Sequence, residues 1–572
     1  MKQDSFFRKA LTWIFIIIAA IYAGPVHLLT GFPALLGIRF FSHMLQLSSY
    51  QNPGYFRFLR KNIVRHVLPW PVAGVLLALC LSRFSEIWWI LSVIYALALT
   101  ILYFPRKQKK KFVVTPRIRR LFVTIACLFY VNVMIGKSVS QQTAPSEYPP
   151  LALAMVYFVA ISLLPFTVAL ANRINQPVEQ SVNNGFIKDA VRILQEQPSL
   201  RIIGVTGSYG KTSVKYYLTT VLSEQFNVLM TPESYNTPMG VVRTIREQMK
   251  PVHEIFVCEM GARHVGDIKE ITDFVHPDDG ILTAIGEQHM ETFFTQENIV
   301  KTKYELLDAV AQKKSTNLKF VNGDNALIRA NMKYPDAITY GLEEGNDFRA
   351  IDLKVTGSGT TFKIQLSRRV ADMLTAGQGY AENKTADGVI SSSAGTEFHT
   401  MLVGAHNIQN ITGAIAVATL YGIPASKIRR GVRRIEPVPH RLELKKHGNV
   451  TILDDAFNSN PAGAKAALDT LAMFADAVKI LVTPGMVELG EREDDLNKTF
   501  GTQAANECDY IILVGEKQTA AVKQGILEAG FDENRLFVKA SFNEASVLMY
   551  ELDAGREKVI LLENDLPDNY AS

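Results

Sequence analysis

Cysteine and tryptophan are scarce in this sequence of 572 residues, and acidic residues are nearly missing from its first third. None of the four cysteines has a Cys-x-x-Cys or zinc-ligand spacing, which argues against a disulfide framework and against a structural metal cluster. Residues 1–175 contain 19 Lys and Arg but only 3 Asp and Glu, whereas residues 176–572 contain 41 and 52. All four tryptophans also lie before residue 90. A basic, apolar region joined to an acidic one predicts a membrane module fused to a soluble domain.

Four apolar segments are long enough to cross a bilayer, at about 66–82, 86–104, 119–136 and 151–171. A further apolar stretch begins near Leu11 and favours an uncleaved anchor over a signal peptide. The connection over 105–120 has eight Lys and Arg and no acid, which predicts that it is cytoplasmic. We therefore expect a multi-pass α-helical transmembrane module over 1–175 in the cell membrane, with the lipid bilayer as a partner and the remaining domains in the cytoplasm. Besides signalling topology, the basic run could bind anionic lipid.

A phosphate-binding loop is predicted at the start of the second part. Arg201–Thr206 is a run of strand type, Val214–Leu222 has helical spacing, and the sequence GSYGKTS lies between them. Glycines let backbone amides close around phosphates, and the N-terminus of the following helix favours an anion. Lys211 would reach the β- and γ-phosphates, and the Thr212 hydroxyl would bind Mg²⁺. Val205 stands at the first glycine of the longer GxxxxGK[ST] pattern, so an ordinary glycine turn is the alternative.

A second strand-like run, HEIFVCE over 253–259, ends in an acid, Glu259. In a parallel sheet the carboxyl end of a neighbouring strand lies beside a phosphate-binding loop, where a carboxylate can bind Mg²⁺. Glu259 is therefore a candidate metal ligand. A solvated acid at a strand end is the alternative interpretation.

Eight motifs along the chain resemble, in order and spacing, those of the Mur ligases, the ATP-dependent enzymes that add amino acids to peptidoglycan precursors. The resemblance is greatest to the members that add D-alanyl-D-alanine. The motifs are GSYGKTS (207–213), YNTPMGV (235–241), CEMGA (258–262), GEQHMETFFTQENIVKTKYELL (286–307), GAHNIQN (404–410), PHRLEL (439–444), LDDAFNSNP (453–461) and PGMVELGERE (484–493).

The resemblance implies site residues. The implied catalytic residues are Lys211, His289 and Lys303. The implied metal ligands are Thr212, Glu259, His289 and Lys303. The implied nucleotide contacts are Gly207, Ser208, Gly210, Lys211, Thr212, Ser213, Asn407 at the adenine, Arg441 and Asp455 at the ribose. Lys303 corresponds to the carbamoylated lysine of the family, in which CO₂ converts a repelling ammonium into an anionic ligand. Lys301 is two residues away, so the choice of Lys303 depends on the resemblance alone.

The predicted fold class is α/β. Residues 176–435 would form the Mur ligase central ATP-binding domain with a parallel sheet, and 344–400 would add antiparallel strands to it. The stretch AGQGYAENKTADGVISSSAGTE within 344–400 is predicted to be a flexible loop. Residues 436–572 alternate strand and helix patterns again and would form a smaller Rossmann-like C-terminal domain.

The implied reaction is ATP-dependent amide bond formation that releases ADP, in which a carboxylate attacks the γ-phosphate and an amine then displaces phosphate from the acyl phosphate. The expected partners are ATP, Mg²⁺, an amino acid or dipeptide amine donor and a muramoyl-peptide-like or lipid-linked carboxylate acceptor, with no nucleic acid. Two departures concern the acceptor. The family's UDP-binding N-terminal domain has no counterpart here, and the segment VILLENDLPDNYAS lacks the Lys-Gly-Ser-Arg run that the D-alanyl-D-alanine-adding members have near their end. Within the GAHNIQN motif, Ala405 stands where those members typically have Arg. The alternatives are a poly-γ-glutamate or capsule type of amide ligase and a membrane transporter regulated by nucleotide.

Overall fold

The computed structural model describes residues 32–67, 88–104, 111–143 and 163–564. Within the last range, the residues outside the description are 234, 314–316, 357–358, 377–395, 403, 437–441, 457–458, 473, 475–476, 488 and 554. The chain divides into two compact units between Asn184 and Gly185. The first unit is helical where it is described, and the second contains two β-sheets.

The helices of the first unit pack around a cluster of aromatic and aliphatic side chains. Residues 32–47 are helical, and they are followed by α1 (Asn52–Lys61), a π-helical turn (Ile63–Val67), α2 (Trp88–Tyr103), α3 (Pro116–Thr143) and α4 (Leu164–Gln195). Phe41, Leu45 and Tyr55 are among the buried residues of this cluster. Arg120 on α3 forms a bidentate ion pair with Glu179 on α4, with both hydrogen bonds at 2.7 Å.

The predicted membrane module is not supported, because no described helix is both long enough and apolar enough to cross a bilayer. Of the apolar segment over 86–104, the described part begins at Trp88 and forms α2. α3 has 28 residues, but Arg117, Arg119 and Arg120 lie in its first five. The predicted cell-membrane localisation is therefore wrong for the described chain, and a bilayer partner has no support. Most of 66–82 and 151–171, and the stretch near Leu11, lie outside the described residues.

The larger sheet of the second unit has nine strands in the order β2-β3-β1-β4-β5-β6-β7-β8-β9. Its strands are β1 (Arg201–Thr206), β2 (Val228–Met230), β3 (Ile255–Glu259), β4 (Asp279–Leu282), β5 (Lys319–Asn322), β6 (Ile338–Gly341), β7 (Phe348–Thr356), β8 (Gly359–Leu366) and β9 (Thr396–Thr400). The strands from β2 to β7 pair in parallel, while β8 is antiparallel to both β7 and β9. This confirms the predicted parallel sheet and its antiparallel extension; most of the predicted loop, over 377–395, lies outside the description.

Helices cover both faces of this sheet, as expected for parallel strands that are buried on both sides. They are α5 (Lys211–Leu222), α6 (Pro238–Gln248), α7 (Asp267–Val275), α8 (Met290–Phe293), α9 (Gln296–Ala311), α10 (Ala326–Ala330), α11 (Arg368–Thr375), α12 (Ala405–Leu420) and α13 (Ala425–Arg433). Ile203 of β1 packs in one core with α5, α12 and α13, whereas its neighbour Ile202 packs in another with α6, α7 and α9. Successive side chains of a strand point to opposite faces, so β1 separates the two cores.

The smaller sheet has six strands in the order β10-β11-β15-β12-β13-β14. Its strands are β10 (Glu443–His447), β11 (Val450–Asp455), β12 (Val478–Thr483), β13 (Tyr510–Val514), β14 (Leu536–Lys539) and β15 (Lys558–Glu563), and its helices are α14 (Pro461–Ala472), α15 (Glu493–Glu507), α16 (Ala520–Glu528) and α17 (Phe542–Glu551). All strand pairs are parallel except β10 with β11. The Rossmann-like pattern predicted for this part of the chain is thereby confirmed.

Candidate active site

The glycine-rich loop lies between β1 and α5, as the sequence predicts. Gly210 precedes the first residue of α5 with φ of 77°, a left-handed conformation that glycine adopts without steric cost. The Lys211 ammonium donates hydrogen bonds to the carbonyls of Gly207, at 2.6 Å, and Ser208, at 3.1 Å. The loop therefore leads into the N-terminus of α5, which favours an anion such as phosphate, and the Lys211 ammonium lies at the same place.

Glu259 ends β3 and lies beside this loop because β3 pairs with β1, with Glu259 opposite Val205. Its side chain is 1% exposed. The Thr212 hydroxyl donates to its Oε1 at 3.2 Å, and Asn236 Nδ2 donates to the same oxygen at 3.0 Å. Burial alone would raise the pKa of Glu259, but Lys215 and Lys211 outweigh burial and hold the pKa below its usual value. The carboxyl group is therefore ionised at neutral pH.

The Thr212 and Glu259 oxygens fit a magnesium ion. Neighbouring oxygens in an octahedral shell with a radius of about 2.1 Å lie about 3 Å apart. The separation of 3.2 Å between Thr212 Oγ1 and Glu259 Oε1 has this size. The other carboxylate oxygen, Oε2, is buried and accepts no hydrogen bond from a described residue, although Lys215 Nζ lies 3.0 Å away as an ion pair. Hard, anionic oxygen next to a phosphate-binding loop is the ligand type that Mg²⁺ prefers.

Lys303 is enclosed in α9 with 1% of its surface exposed, whereas Lys301 on the same helix is exposed. No acid among the described residues forms an ion pair with the Lys303 amine, and its Nζ lies 5.9 Å from the centre of the Phe293 ring. Burial, followed by the charge of Lys211, lowers the pKa of Lys303 well below its usual value. The structure therefore separates two lysines that the sequence left equivalent: of the two, only Lys303 has an enclosed amine, and its burial favours the uncharged form.

The loop over 286–289 holds His289 and packs against the glycine-rich loop. Ser208 Oγ donates to the Gly286 carbonyl at 3.0 Å and accepts from the Gly286 amide at 3.1 Å. The Tyr209 hydroxyl donates to the Glu287 carbonyl at 2.8 Å. A Cβ atom at Gly286 would lie 2.5 Å from the Tyr209 ring, so only glycine permits this close approach. His289 precedes α8 with φ of 54°.

The implied metal ligands are not gathered into one cluster of acids and histidines. In the described part of the chain, no three His, Cys, Asp or Glu side chains are close enough to hold one ion together. The fit to Mg²⁺ therefore depends on Thr212 and Glu259, while His289 and Lys303 stay predictions.

The adenine and ribose candidates lie on separate elements. Asn407, at the start of α12, is buried and its Oδ1 accepts a hydrogen bond from the Tyr217 hydroxyl of α5 at 2.8 Å. Asn410 of the same motif lies against the glycine-rich loop, since its Oδ1 is 2.9 Å from a Cβ position at Gly210. Asp455 ends β11 and accepts from the Leu442 amide at 3.1 Å. Arg441 lies outside the described residues.

Sequence reasoning missed two residues that touch Glu259, namely Lys215 and Asn236. Lys215 lies four residues after Lys211, and this spacing places both lysines on the same side of a helix. That spacing was a usable signal for Lys215. Asn236 belongs to the YNTPMGV motif, but nothing in the sequence indicates that its amide reaches the β3 carboxylate.

A phosphate-binding loop after β1, an acid at the end of the adjacent strand and a second, Rossmann-like sheet together define a nucleotide-binding α/β protein. Residues 205–418 match the Mur ligase middle domain, and residues 440–563 match the Mur ligase glutamate ligase domain. The two matches span more than half of the chain. The chain belongs to the Mur ligase family.

Individual relatives agree with this assignment. The UDP-N-acetylmuramoyl-tripeptide–D-alanyl-D-alanine ligase of Bacillus subtilis (strain 168) is 29% identical over 339 residues, which cover 59% of this chain and 67% of that protein. The ligase of the same name from Escherichia coli (strain K12) is 26% identical over 359 residues, covering 60% and 72%. The crystal structure of MurF ligase from Thermotoga maritima in complex with ADP has a TM-score of 0.56 at 22% identity, covering 68% of this chain and 81% of that chain. This last likeness shows the fold.

Mur ligases are ADP-forming, ATP-dependent amide ligases that use Mg²⁺, and this chain is an enzyme of that type. The predicted ATP use and amide-ligase activity are confirmed at this level.

Proposed function

We propose that this enzyme activates the terminal carboxylate of a muramoyl-peptide-like acceptor with ATP and joins it to the amine of an amino acid or dipeptide, in peptidoglycan precursor synthesis. The observation that carries the proposal is the placement of Lys211 and Thr212 directly beside the ionised Glu259. The relatives named for D-alanyl-D-alanine addition support a dipeptide as the amine donor. We further propose domain boundaries near residues 175 and 435.

The described residues would act mainly by position and charge. Acyl phosphate formation places negative charge on several oxygens at once, and positioned cations and amides stabilise that charge in a site from which water is excluded. Lys211 would leave the loop carbonyls that it contacts and bind the β- and γ-phosphates. Thr212 and Glu259 would hold Mg²⁺, which supplies further neutralisation of the transferring phosphoryl group. Asn407 would contact the adenine, and Arg441 and Asp455 would contact the rest of the nucleoside.

Lys303 would serve as a metal ligand after carbamoylation. The reaction requires an uncharged amine, which attacks CO₂ and loses a proton to give an anionic carbamate. The burial of Lys303 and the absence of an acidic ion-pair partner among the described residues both favour the uncharged amine. Together with His289, the carbamate would hold a second Mg²⁺ near the acyl phosphate oxygens.

The test is an assay of the purified full-length chain with ATP, Mg²⁺, a carboxylate acceptor and an amine donor, with products identified by mass spectrometry. UDP-N-acetylmuramoyl tripeptide and a lipid-linked muramoyl peptide serve as acceptors, and D-alanyl-D-alanine, D-alanine and L-glutamate serve as donors. We expect one amide bond per acceptor, with release of ADP and phosphate in equal amounts. A ladder of products with L-glutamate would contradict the proposal and favour a polymerising ligase.

A further inference from the structure

Lys215 is a fully buried lysine for which the mechanism above has no use. It lies on α5 with 0% of its side chain exposed, one turn after Lys211. Its Nζ lies 3.0 Å from Glu259 Oε2, and that carboxylate is itself 1% exposed. Placing two charged groups away from water is unfavourable unless they neutralise each other, so each of these residues needs the other.

The two oxygens of Glu259 have different neighbours. Oε1 accepts hydrogen bonds from the Thr212 hydroxyl, at the start of α5, and from the Asn236 amide. Oε2 faces the interior, where Lys215 lies. A carboxylate that is held by a cation at one oxygen cannot rotate freely, and the other oxygen then stays beside Thr212.

Lys215 also fixes the segment that carries Asn236. Its ammonium donates a hydrogen bond to the Glu233 carbonyl, and Glu233 has a φ of 42°, which is unfavourable for a residue other than glycine. Asn236 follows three residues later and donates to Oε1 of Glu259, whereas Lys215 pairs with Oε2. One ammonium therefore connects the end of β3 with the loop that precedes α6.

We propose that Lys215 is a positioning residue of the magnesium site: it holds Glu259 Oε2 and the loop of Asn236, so that Oε1 stays next to Thr212 and faces the metal ion. This role rests on the proposed assignment of Thr212 and Glu259 as Mg²⁺ ligands. Residues that orient a metal ligand without touching the metal typically contribute 10- to 100-fold to metal affinity. The competing explanation is a buried ion pair that only stabilises the fold.

The test measures metal affinity rather than turnover. Binding of the non-hydrolysable ATP analogue AMP-PNP to the full-length chain is measured by calorimetry, with excess Mg²⁺ and with a chelator. Mn²⁺ binding in the presence of AMP-PNP is followed by electron paramagnetic resonance. The variants are K215M, E259Q, the double variant K215M/E259Q and the control K319M, since Lys319 is another buried, ion-paired lysine but lies on β5.

We expect K215M to weaken Mn²⁺ and Mg²⁺ binding about 10- to 100-fold while AMP-PNP binding without metal stays unchanged. E259Q should show the same loss, the double variant should be no worse than E259Q, and K319M should bind metal like the wild type. If K215M does not fold, K215Q takes its place. The Gln amide can still donate a hydrogen bond but has no positive charge to pair with Glu259, so we expect the same loss of metal affinity.

Three results would overturn the proposal in distinguishable ways. Normal metal affinity in K215M, together with a loss in E259Q, would leave the metal site in place and refute the role of Lys215. Normal metal affinity in E259Q would refute the assignment of the metal ligand itself, and the role of Lys215 with it. An equal loss of AMP-PNP binding with and without metal would show that Lys215 acts only on the fold.

Discussion

Two substitutions of Lys303 test its role as a metal ligand, because together they separate the loss of the ligand from the loss of side-chain packing. Lys303→Ala removes every side-chain atom from Cγ to Nζ at a site that is 1% exposed, and so leaves an enclosed cavity. By comparison with Met→Ala changes, this cavity should cost about 2–5 kcal/mol of unfolding free energy. Lys303→Met keeps the volume and should cost less than about 1.5 kcal/mol.

K303A is expected to be the less stable variant, but in the presence of a small carboxylic acid it should be the more active of the two. A missing metal ligand costs several kcal/mol of transition-state stabilisation, and each 1.4 kcal/mol is about a factor of ten in rate, so both variants should lose at least ~100-fold. Formate or acetate can enter the Ala cavity and supply the missing carboxylate. The Met side chain fills that space. We therefore expect partial rescue of K303A and none of K303M.

The assay is ADP release during amide formation, with and without formate, acetate and the larger benzoate, and melting temperatures are measured in parallel. Lys301→Ala is the matched control, since Lys301 lies on the same helix but is exposed. It should retain wild-type activity. Equal rescue of K303A and K303M, or a K303A variant that is active without added acid, would refute the role of Lys303 as a carbamate.

Three further predictions concern other parts of the second unit. Lys211→Ala should abolish ATP turnover, measured as phosphate release, because the loop then lacks its cation; residual turnover above ~1% would contradict this role. Burial raises the pKa of Asp279 to about 6, so the folded protein favours the protonated carboxyl more than the unfolded chain does. Asp279 therefore stabilises the fold below pH 4, and up to ~3 kcal/mol of the free energy of unfolding should be lost as the pH rises through 6. The melting temperature of D279N should lack this pH dependence. If the melting temperature of D279N depends on pH as in the wild type, Asp279 is not the source of the dependence. Arg492→Glu should lower the rate about 2- to 5-fold by breaking the ion pair with Glu287, and E287R in addition should restore it; additive losses would show that the pair does not couple.

Individual strands, helices and the glycine-rich loop were predictable because each depends on residues that are close together in the sequence. The glycine-rich loop lies between a strand and a helix that the residue pattern indicates on either side of it. The antiparallel strands within 344–400 and the alternation of strands and helices over 436–572 were likewise predictable from the residue pattern. Even Glu259 could be placed beside the loop, since parallel strands end at the same edge of a sheet.

The membrane prediction failed because no described helix is both long enough and apolar enough to cross a bilayer. In the segment over 86–104 the described residues from Trp88 to Tyr103 form α2. The segment over 119–136 is part of α3, and two arginines in the first five residues of α3, Arg117 and Arg120, pair with Glu179 of α4. Helix boundaries and ion pairs between helices depend on tertiary contacts that a sliding window does not include.

By itself, the sequence determined the class of chemistry: a loop for phosphates, an acid at a strand end and a family of ATP-dependent ligases. Only the tertiary structure decided which lysine is enclosed, because Lys301 and Lys303 differ in burial and not in residue type. It alone showed that Lys215 neutralises Glu259, since the two residues are 44 positions apart and meet only when α5 packs on β3. Charge compensation inside a protein depends on which groups are buried together, and burial is a property of the fold as a whole.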